Sequence, residues 1–194
     1  MKITDQRIAI EVFEQTLLSA LDLKDRGTSA HSYRVCELSV RLGNALGLSE
    51  NELLSLRSGA LLHDIGKIGI PDFVLLKPGT LSSSERELIQ HHSNFGADLI
   101  SPVTSLKAVI PVVRCHHEKW DGTGYPNRLS GEQIPYLARI CAVAEVFDSL
   151  VSDQIYRPAW PITDVLLKIQ QEGGSTFDPS VSATFAQLMS VRKD

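Results

Sequence analysis

The sequence predicts an all-α protein, a single-domain helical bundle, and three observations carry that prediction. Apolar residues recur at helical spacing along most of the 194 residues. Two Ser-x-x-Glu signatures, Ser49 to Glu52 and Ser82 to Glu85, mark helix starts. No stretch alternates apolar and polar side chains as a half-buried strand would.

The elements follow in order. Ile8, Val12, Phe13, Leu17, Leu18 and Leu21 form an opening amphipathic helix that Gly27 breaks. Thr28 or Ser29 can cap the next helix, which carries His31, Val35, Leu38 and Leu42 as far as Gly43 or Gly47. The first capping signature opens a helix that ends in His63-Asp64-Ile65-Gly66, with Pro71 soon after. Lys77-Pro78-Gly79 is a turn, and the second signature starts a helix containing His91 and His92. A helix is expected from about Ser105 to His117, with Pro111 as a kink or an early boundary. Asp121 to Pro135 is a loop by composition. Helices over Leu137 to Leu150 and Thr163 to Gln171 follow, and Gly173-Gly174 stops the second. Phe177-Asp178-Pro179 leads into a last helix through Val181, Phe185 and Leu188. Residues 1–26 read as an N-terminal helix, a candidate connector or dimerisation element, ahead of a domain over 27–194.

Bulk properties exclude several classes. Hydrophobic content of 43% and charged content of 22% suit a water-soluble domain, and no apolar run approaches a membrane span. The N-terminus has no secretory pattern, and three cysteines without a CxxC pair argue against a disulfide framework, so a reducing cytoplasm is expected. A net charge of −4 argues against broad binding to nucleic acid or anionic membranes. It does not exclude a small anionic substrate, because bound cations reverse the local potential of a site built from carboxylates and imidazoles.

All six histidines lie between His31 and His117. Histidine and carboxylate are the usual ligands of borderline divalent metals, and a site needs several converging from different segments. A lone histidine is more often a core or surface residue, whereas adjacent His63-Asp64 offers two ligand types from one place. Asp64 has two oxygens and can bridge two cations. Lys67 shares its helical face and can hold a phosphate oxygen, or can simply be a solvated helix-end lysine. His91 and His92 point about a hundred degrees apart on a helix, so one of them turns inward. His116 and His117 serve together if their helix ends there; the alternative is a capping role at a helix C-terminus. Glu145 and Asp148 sit three apart in an apolar stretch, which calls for a metal or a basic partner.

His31, His63-Asp64 with Lys67, His92, His116-His117 with Glu118, then Asp121-Gly122-Thr123-Gly124-Tyr125-Pro126 and Glu145 together resemble the HD-GYP branch of the HD-domain metal-dependent phosphohydrolases. The resemblance runs from about residue 27 to 188 and includes Lys77-Pro78-Gly79, Ile134-Pro135, Tyr156-Arg157 and Phe177-Asp178-Pro179. It implies an HD-type helical bundle and a cyclic di-GMP phosphodiesterase yielding pGpG or GMP through attack by a metal-bridged hydroxide. It also implies two divalent metal ions, iron or manganese. Carried over, His31, His63, Asp64 and Glu145 hold one ion, and Asp64 bridges to a second held by His92, His116 and His117. His92 is preferred to His91 because Gly96 follows four residues later. Asp64 and Lys67 are the catalytic candidates, and Lys67, Gln154 and Arg157 the substrate contacts. Asp121, Gly124, Tyr125 and Pro126 shape the pocket mouth, and Asp148 is expected to orient Lys67 or the loop.

Three positions depart from the family pattern. Glu145 stands where aspartate is usual, which keeps the carboxylate and lengthens the arm by one methylene. Gln154 stands where an arginine often meets the substrate phosphate, a loss that Arg157 offsets in part. Gly27 stands where some members carry a glutamate associated with a third metal, so a binuclear site is expected. Two other readings stay open: a catalytically weak nucleotide receptor or docking module for diguanylate cyclases, and a phosphohydrolase of another nucleotide such as cyclic GMP-AMP. A homodimer is a further candidate state.

Overall fold

The computed structural model describes residues 3–153 and 158–190, and no strand occurs among them. The helices are α1 (Ile3–Lys24), α2 (Thr28–Ala45), α3 (Glu50–Leu62), α4 (Asp72–Leu75), α5 (Ser83–Gln90), α6 (His92–Ile100), α7 (Ile110–Cys115), α8 (Tyr136–Val151), α9 (Ile162–Gln171) and α10 (Pro179–Ser190). A 3₁₀ turn, Ile65–Gly69, follows α3. Both predicted capping boxes form: the hydroxyls of Ser49 and Ser82 accept from the amides of Glu52 and Glu85, whose carboxylates accept from the serine amides in return. No helix of the described residues is long and apolar enough to cross a membrane.

Three local expectations are corrected. The cap of α2 is Gly27, at φ 91°, rather than Thr28 or Ser29. Glycine tolerates that left-handed turn, and the Asp22 carboxylate reaches over to accept from the amides of Gly27 and Ser29. The predicted helix through His91 and His92 is two helices, α5 and α6, that meet at His91. There the His91 amide turns to the Leu88 carbonyl, a tightened last turn. The segment after Ser105 is a 3₁₀ turn, Thr104–Leu106, and α7 starts only at Ile110 with Pro111 in its first turn, where a missing N–H costs nothing.

Two apolar clusters form the core. Val35, Leu42, Leu56, Ile140, Val143, Phe147, Ile169 and Phe185 join α2, α3, α8, α9 and α10. Leu18, Leu21, Leu62, Ile65, Ile100 and Val113 join α1, α3, α6 and α7. Each fully buried side chain of this size contributes about 1.5–3 kcal/mol before conformational entropy is charged. α3 and α7 supply both clusters: Ala60 and Val112 face the first, Leu61 and Val113 the second. The helices that end at His63 and His116 therefore lie along the seam between the clusters, held from both sides.

Candidate metal centre

Close helix contacts bring the histidines together. A Cβ on Gly59 would stand 2.6 Å from Cβ of Val112, so only glycine lets α3 and α7 approach this near. Their two ends then meet, and the rings of His63 and His116 lie 5.1 Å apart. A Cβ on Gly66 would stand 1.9 Å from the carbonyl oxygen of His92, so the 3₁₀ turn carrying Asp64 lies directly on α6. A Cβ on Gly96 would in turn stand 2.9 Å from Cγ1 of Val113 and 3.1 Å from the Gly66 amide nitrogen, which gives the glycine four residues after His92 its physical reason. His92 is buried and turned inward, while His91 is exposed.

Two groups of ligand atoms result: His31, His63 and Asp64, and His92, His116 and His117, each set lying within 4.8 Å of one another. Asp64 stands between them. Its Oδ2 is 3.4 Å from His63 Nε2, and its Oδ1 is 3.5 Å from His92 Nε2. The Lys67 ammonium donates to Oδ2 at 2.8 Å, as the spacing of three predicts, and lies 4.0 Å from Asp25. Burial alone would raise the Asp64 pKa, but Lys67 and His63 outweigh it and hold the carboxyl well below its usual range. Burial likewise disfavours the Lys67 charge, and Asp64 more than restores it, raising the pKa.

The imidazoles are aimed by fixed acceptors. Nδ1 of His63, His92 and His116 each lies 2.7–2.8 Å from the carbonyl three residues earlier, of Ala60, Ile89 and Val113. A carbonyl can only accept, so each Nδ1 carries the proton and each Nε2 points a lone pair inward when neutral. Nε2 of His92 and of His116 are 3.2 Å apart. Burial, then the neighbouring histidines, hold His116 well below the ordinary pKa; burial, then His92, does the same for His117. Burial also lowers His92, whereas at His63 the adjacent Asp64 carboxylate overcomes burial and raises it. The donor set fits a divalent cation: imidazole nitrogens from several helices face the Asp64 carboxylate, and the buried His63 Nε2 and Glu145 Oε2 have no hydrogen-bond partner.

Glu145 comes in beside His117, with Oε1 3.7 Å from Nδ1, and burial pushes its pKa up to about 7. Asp148 corrects an expectation. It touches neither Lys67 nor the loop; its Oδ2 lies 2.7 Å from His31 Nδ1, and Arg34 clasps both its oxygens at 2.7 and 2.9 Å. Asp148 thus fixes the His31 ring and leaves Nε2 for the centre. Arg34 was not singled out from the sequence, although its place three residues after His31 puts it on the same face of α2. Gln154 and Arg157 lie outside the described residues.

The loop after α7 folds back on itself. A Cβ on Gly124 would stand 2.3 Å from the Lys119 amide nitrogen, and the Tyr125 amide donates to the His117 carbonyl. The Tyr125 ring lies 4.7 Å from that of His117, and burial and the nearby carboxylates raise its phenol well above the usual range. Asp121 is exposed and accepts from the Thr123 amide and hydroxyl, so it shapes the turn at a remove from the ligand groups. Glu118, inside the recognised motif but given no role there, is buried and accepts from the amides of Asn127 and Leu129. A cavity of about 680 Å³ opens beside the centre, walled by α5, α6 and this loop and including Gly124, Tyr125 and Pro126.

The sequence profile described as HD domain matches residues 15–181. The chain belongs to the HD domain family. Among characterised HD relatives, it is 41% identical over 165 residues to the cyclic di-GMP phosphodiesterase response regulator RpfG of Xanthomonas campestris, covering 84% of this chain and 44% of that protein. It is 36% identical to the 3'3'-cGAMP-specific phosphodiesterase 2 of Vibrio cholerae, over 85% of this chain and 32% of the relative. The crystal structure of a cyclic GMP-AMP-specific phosphodiesterase of V. cholerae, V-cGAP3, superposes with a TM-score of 0.71 at 28% identity, over 93% of this chain and 49% of that one. The chain spans less than half the length of each of these three proteins.

Proposed function

We propose that this HD domain is a metal-dependent phosphodiesterase that opens cyclic di-GMP to pGpG or onward to GMP. The observation that carries the reading is Asp64, whose two oxygens face two separate histidine groups. The similarity to phosphodiesterases of cyclic di-GMP and of cyclic GMP-AMP supports it. In this reading His31, His63, Asp64 and Glu145 would hold one ion, and His92, His116 and His117 with Asp64 would hold the second. Neutral imidazole with carboxylate suits iron or manganese. Divalent ions bound there supply Lewis-acid polarisation of the phosphoryl oxygens and activation of water.

The chain's own residues do the rest. Lys67 keeps its proton and carries a fixed positive charge toward a phosphate oxygen. Asp148, braced by Arg34, keeps His31 in one orientation. Tyr125 keeps its phenolic proton and offers a hydrogen-bond donor at the cavity wall. Gln154 and Arg157 remain proposed contacts to the substrate.

The test is one anaerobic preparation on which metal content and turnover are both measured after loading with iron or manganese. Two ions per chain and linearisation of cyclic di-GMP are expected, with turnover abolished in Asp64→Ala. Well-loaded protein that leaves cyclic di-GMP and cyclic GMP-AMP intact overturns the reading, and close to three ions per chain overturns the count.

A further inference from the structure

We propose that the cavity beside the metal centre is a guanine subsite, in which Glu87 and Arg128 read the edge of the base and His91 supports its face. The inference rests on the cyclic-dinucleotide reading above and names the residues that would select a guanine base, which that reading does not assign.

The place comes first. Glu87, Gln90, His91 and Asn94 line one wall, and Tyr125 and Arg128 the other. Tyr125 ties the cavity to the centre, because its ring lies 4.7 Å from His117 and 6.3 Å from His92. A nucleotide whose phosphate sits at the histidines can therefore place its base here, and about 680 Å³ is in the usual range of small-molecule pockets.

The side chains on the walls are presented deliberately. Arg128 has φ 55°, the left-handed region that a non-glycine residue enters at a cost of roughly 1–2 kcal/mol. The amides on either side of it, of Asn127 and Leu129, both donate to the buried Glu118 carboxylate at 2.7 and 3.1 Å. Two anchored neighbours hold Arg128 in that conformation, with its side chain exposed at the cavity. On the facing wall the exposed His91 ring stacks on Phe95 with centroids 5.9 Å apart and 27° between planes. A ring braced in this way offers a flat face to a base.

The chemistry then selects among bases. Guanine presents O6 and N7 acceptors, which match the fork of an arginine, and N1–H and N2–H₂ donors, which match a carboxylate. Adenine puts an amino group where the arginine needs an acceptor and has no N1–H for the carboxylate. A wall with Glu87 and another with Arg128 is therefore complementary to guanine. Gln90 and Asn94 donate and accept and fit either base. One such subsite needs one guanine per substrate, so cyclic di-GMP and cyclic GMP-AMP both satisfy it and cyclic di-AMP does not.

The test uses the manganese-loaded full chain, steady-state kinetics with the three cyclic dinucleotides, and calorimetric titration with GMP and AMP. Wild type is expected to prefer the two guanine-containing substrates and to bind GMP over AMP. Glu87→Gln and Arg128→Ala are each expected to raise KM for cyclic di-GMP by about 10- to 100-fold, with the loss carried by KM rather than kcat, and to erase the preference for GMP. Both side chains are exposed, so the variants keep the fold. Unchanged KM and base preference in both variants, or equal turnover of cyclic di-AMP by wild type, overturns the subsite and leaves the phosphodiesterase standing. Absence of all turnover in loaded wild type sinks the phosphodiesterase instead. The titration then decides the subsite alone: a GMP preference lost in Arg128→Ala supports it, and equal binding of GMP and AMP overturns it.

Discussion

Gly66→Ala tests whether the site is built by backbone contact. The added Cβ would stand 1.9 Å from the His92 carbonyl oxygen and 2.4 Å from the Gly96 amide nitrogen, where real Cβ atoms keep at least 3.0 Å. Both obstacles are backbone and neither can swing aside, so the 3₁₀ turn and α6 must part by more than an ångström. Overpacking usually costs about 1–3 kcal/mol, and two backbone collisions put this variant at the upper end or beyond. For a domain of this size about 3 kcal/mol corresponds to a fall in Tm of roughly 6–12 °C. The same displacement separates Asp64 from His92, now 3.5 Å apart, and so removes the oxygen that joins the two ligand groups. Gly69→Ala is the control: its Cβ meets only the ring of Phe95 at 2.8 Å, and that half-exposed side chain can rotate, so less than about 1 kcal/mol is expected. The assays are thermal unfolding of metal-free protein and manganese titration. If Gly66→Ala melts within about 2 °C of wild type and binds manganese equally well, the argument from backbone contact is wrong.

Three further outcomes follow from single residues. Asp148→Asn takes the carboxylate from His31 and Arg34 and should weaken metal binding by about 10- to 100-fold in chelator competition; unaltered affinity would remove His31 from the ligand set. Glu118→Ala removes the acceptor for two amides, so hydrogen exchange at Asn127 and Leu129 should accelerate relative to α8, and unchanged protection there would contradict the anchored loop. Glu145 has its folded-state pKa raised from 4.5 to about 7, so its contribution to metal-free stability is present at low pH and lost as pH rises between those values. The stability of wild type relative to Glu145→Gln, from urea unfolding, should fall by up to about 3 kcal/mol from pH 4.5 to pH 7.5, and a flat difference would refute the burial.

What the sequence made legible was mostly local. Ser49 with Glu52 and Ser82 with Glu85 satisfy amides within one turn, so two helix starts could be placed to the residue. His63-Asp64, His92 and His116-His117 could be picked out because their spacing is carried by short segments. The break at His91 left no mark, since neither glycine nor proline interrupts Ser83 to Ile100 except Gly96, which lies inside α6. The partner of Asp148 could not be read either, because Arg34 is 114 residues away and the pair exists only once α2 and α8 pack. A capping turn is written into neighbouring residues, whereas an ion pair between helices is written into the packing of the whole core.

One device recurs across the centre and explains why so few residues outside the motifs are needed to aim it. The carbonyls in the last turn of a helix have no intrahelical partner. Ala60 near the end of α3, Ile89 near the end of α5 and Val113 near the end of α7 give theirs to the Nδ1 proton of a histidine three residues on. Each helix thereby satisfies its own terminus and fixes a ring with the same group. The cost falls on protonation, because burial disfavours the charged rings and the neighbouring imidazoles repel one another's charge. His116 and His117 have folded-state pKa values depressed below 6.5, so their contribution to stability is present above that pH and lost as pH falls below it, where the unfolded chain takes up protons first. Cations held by the same neutral nitrogens bind only the folded, deprotonated state. Metal affinity and the stability that His116 and His117 contribute therefore weaken together on acidification, against the opposite trend of Glu145, and the helix-end carbonyls that aim the rings also set the condition under which the site exists.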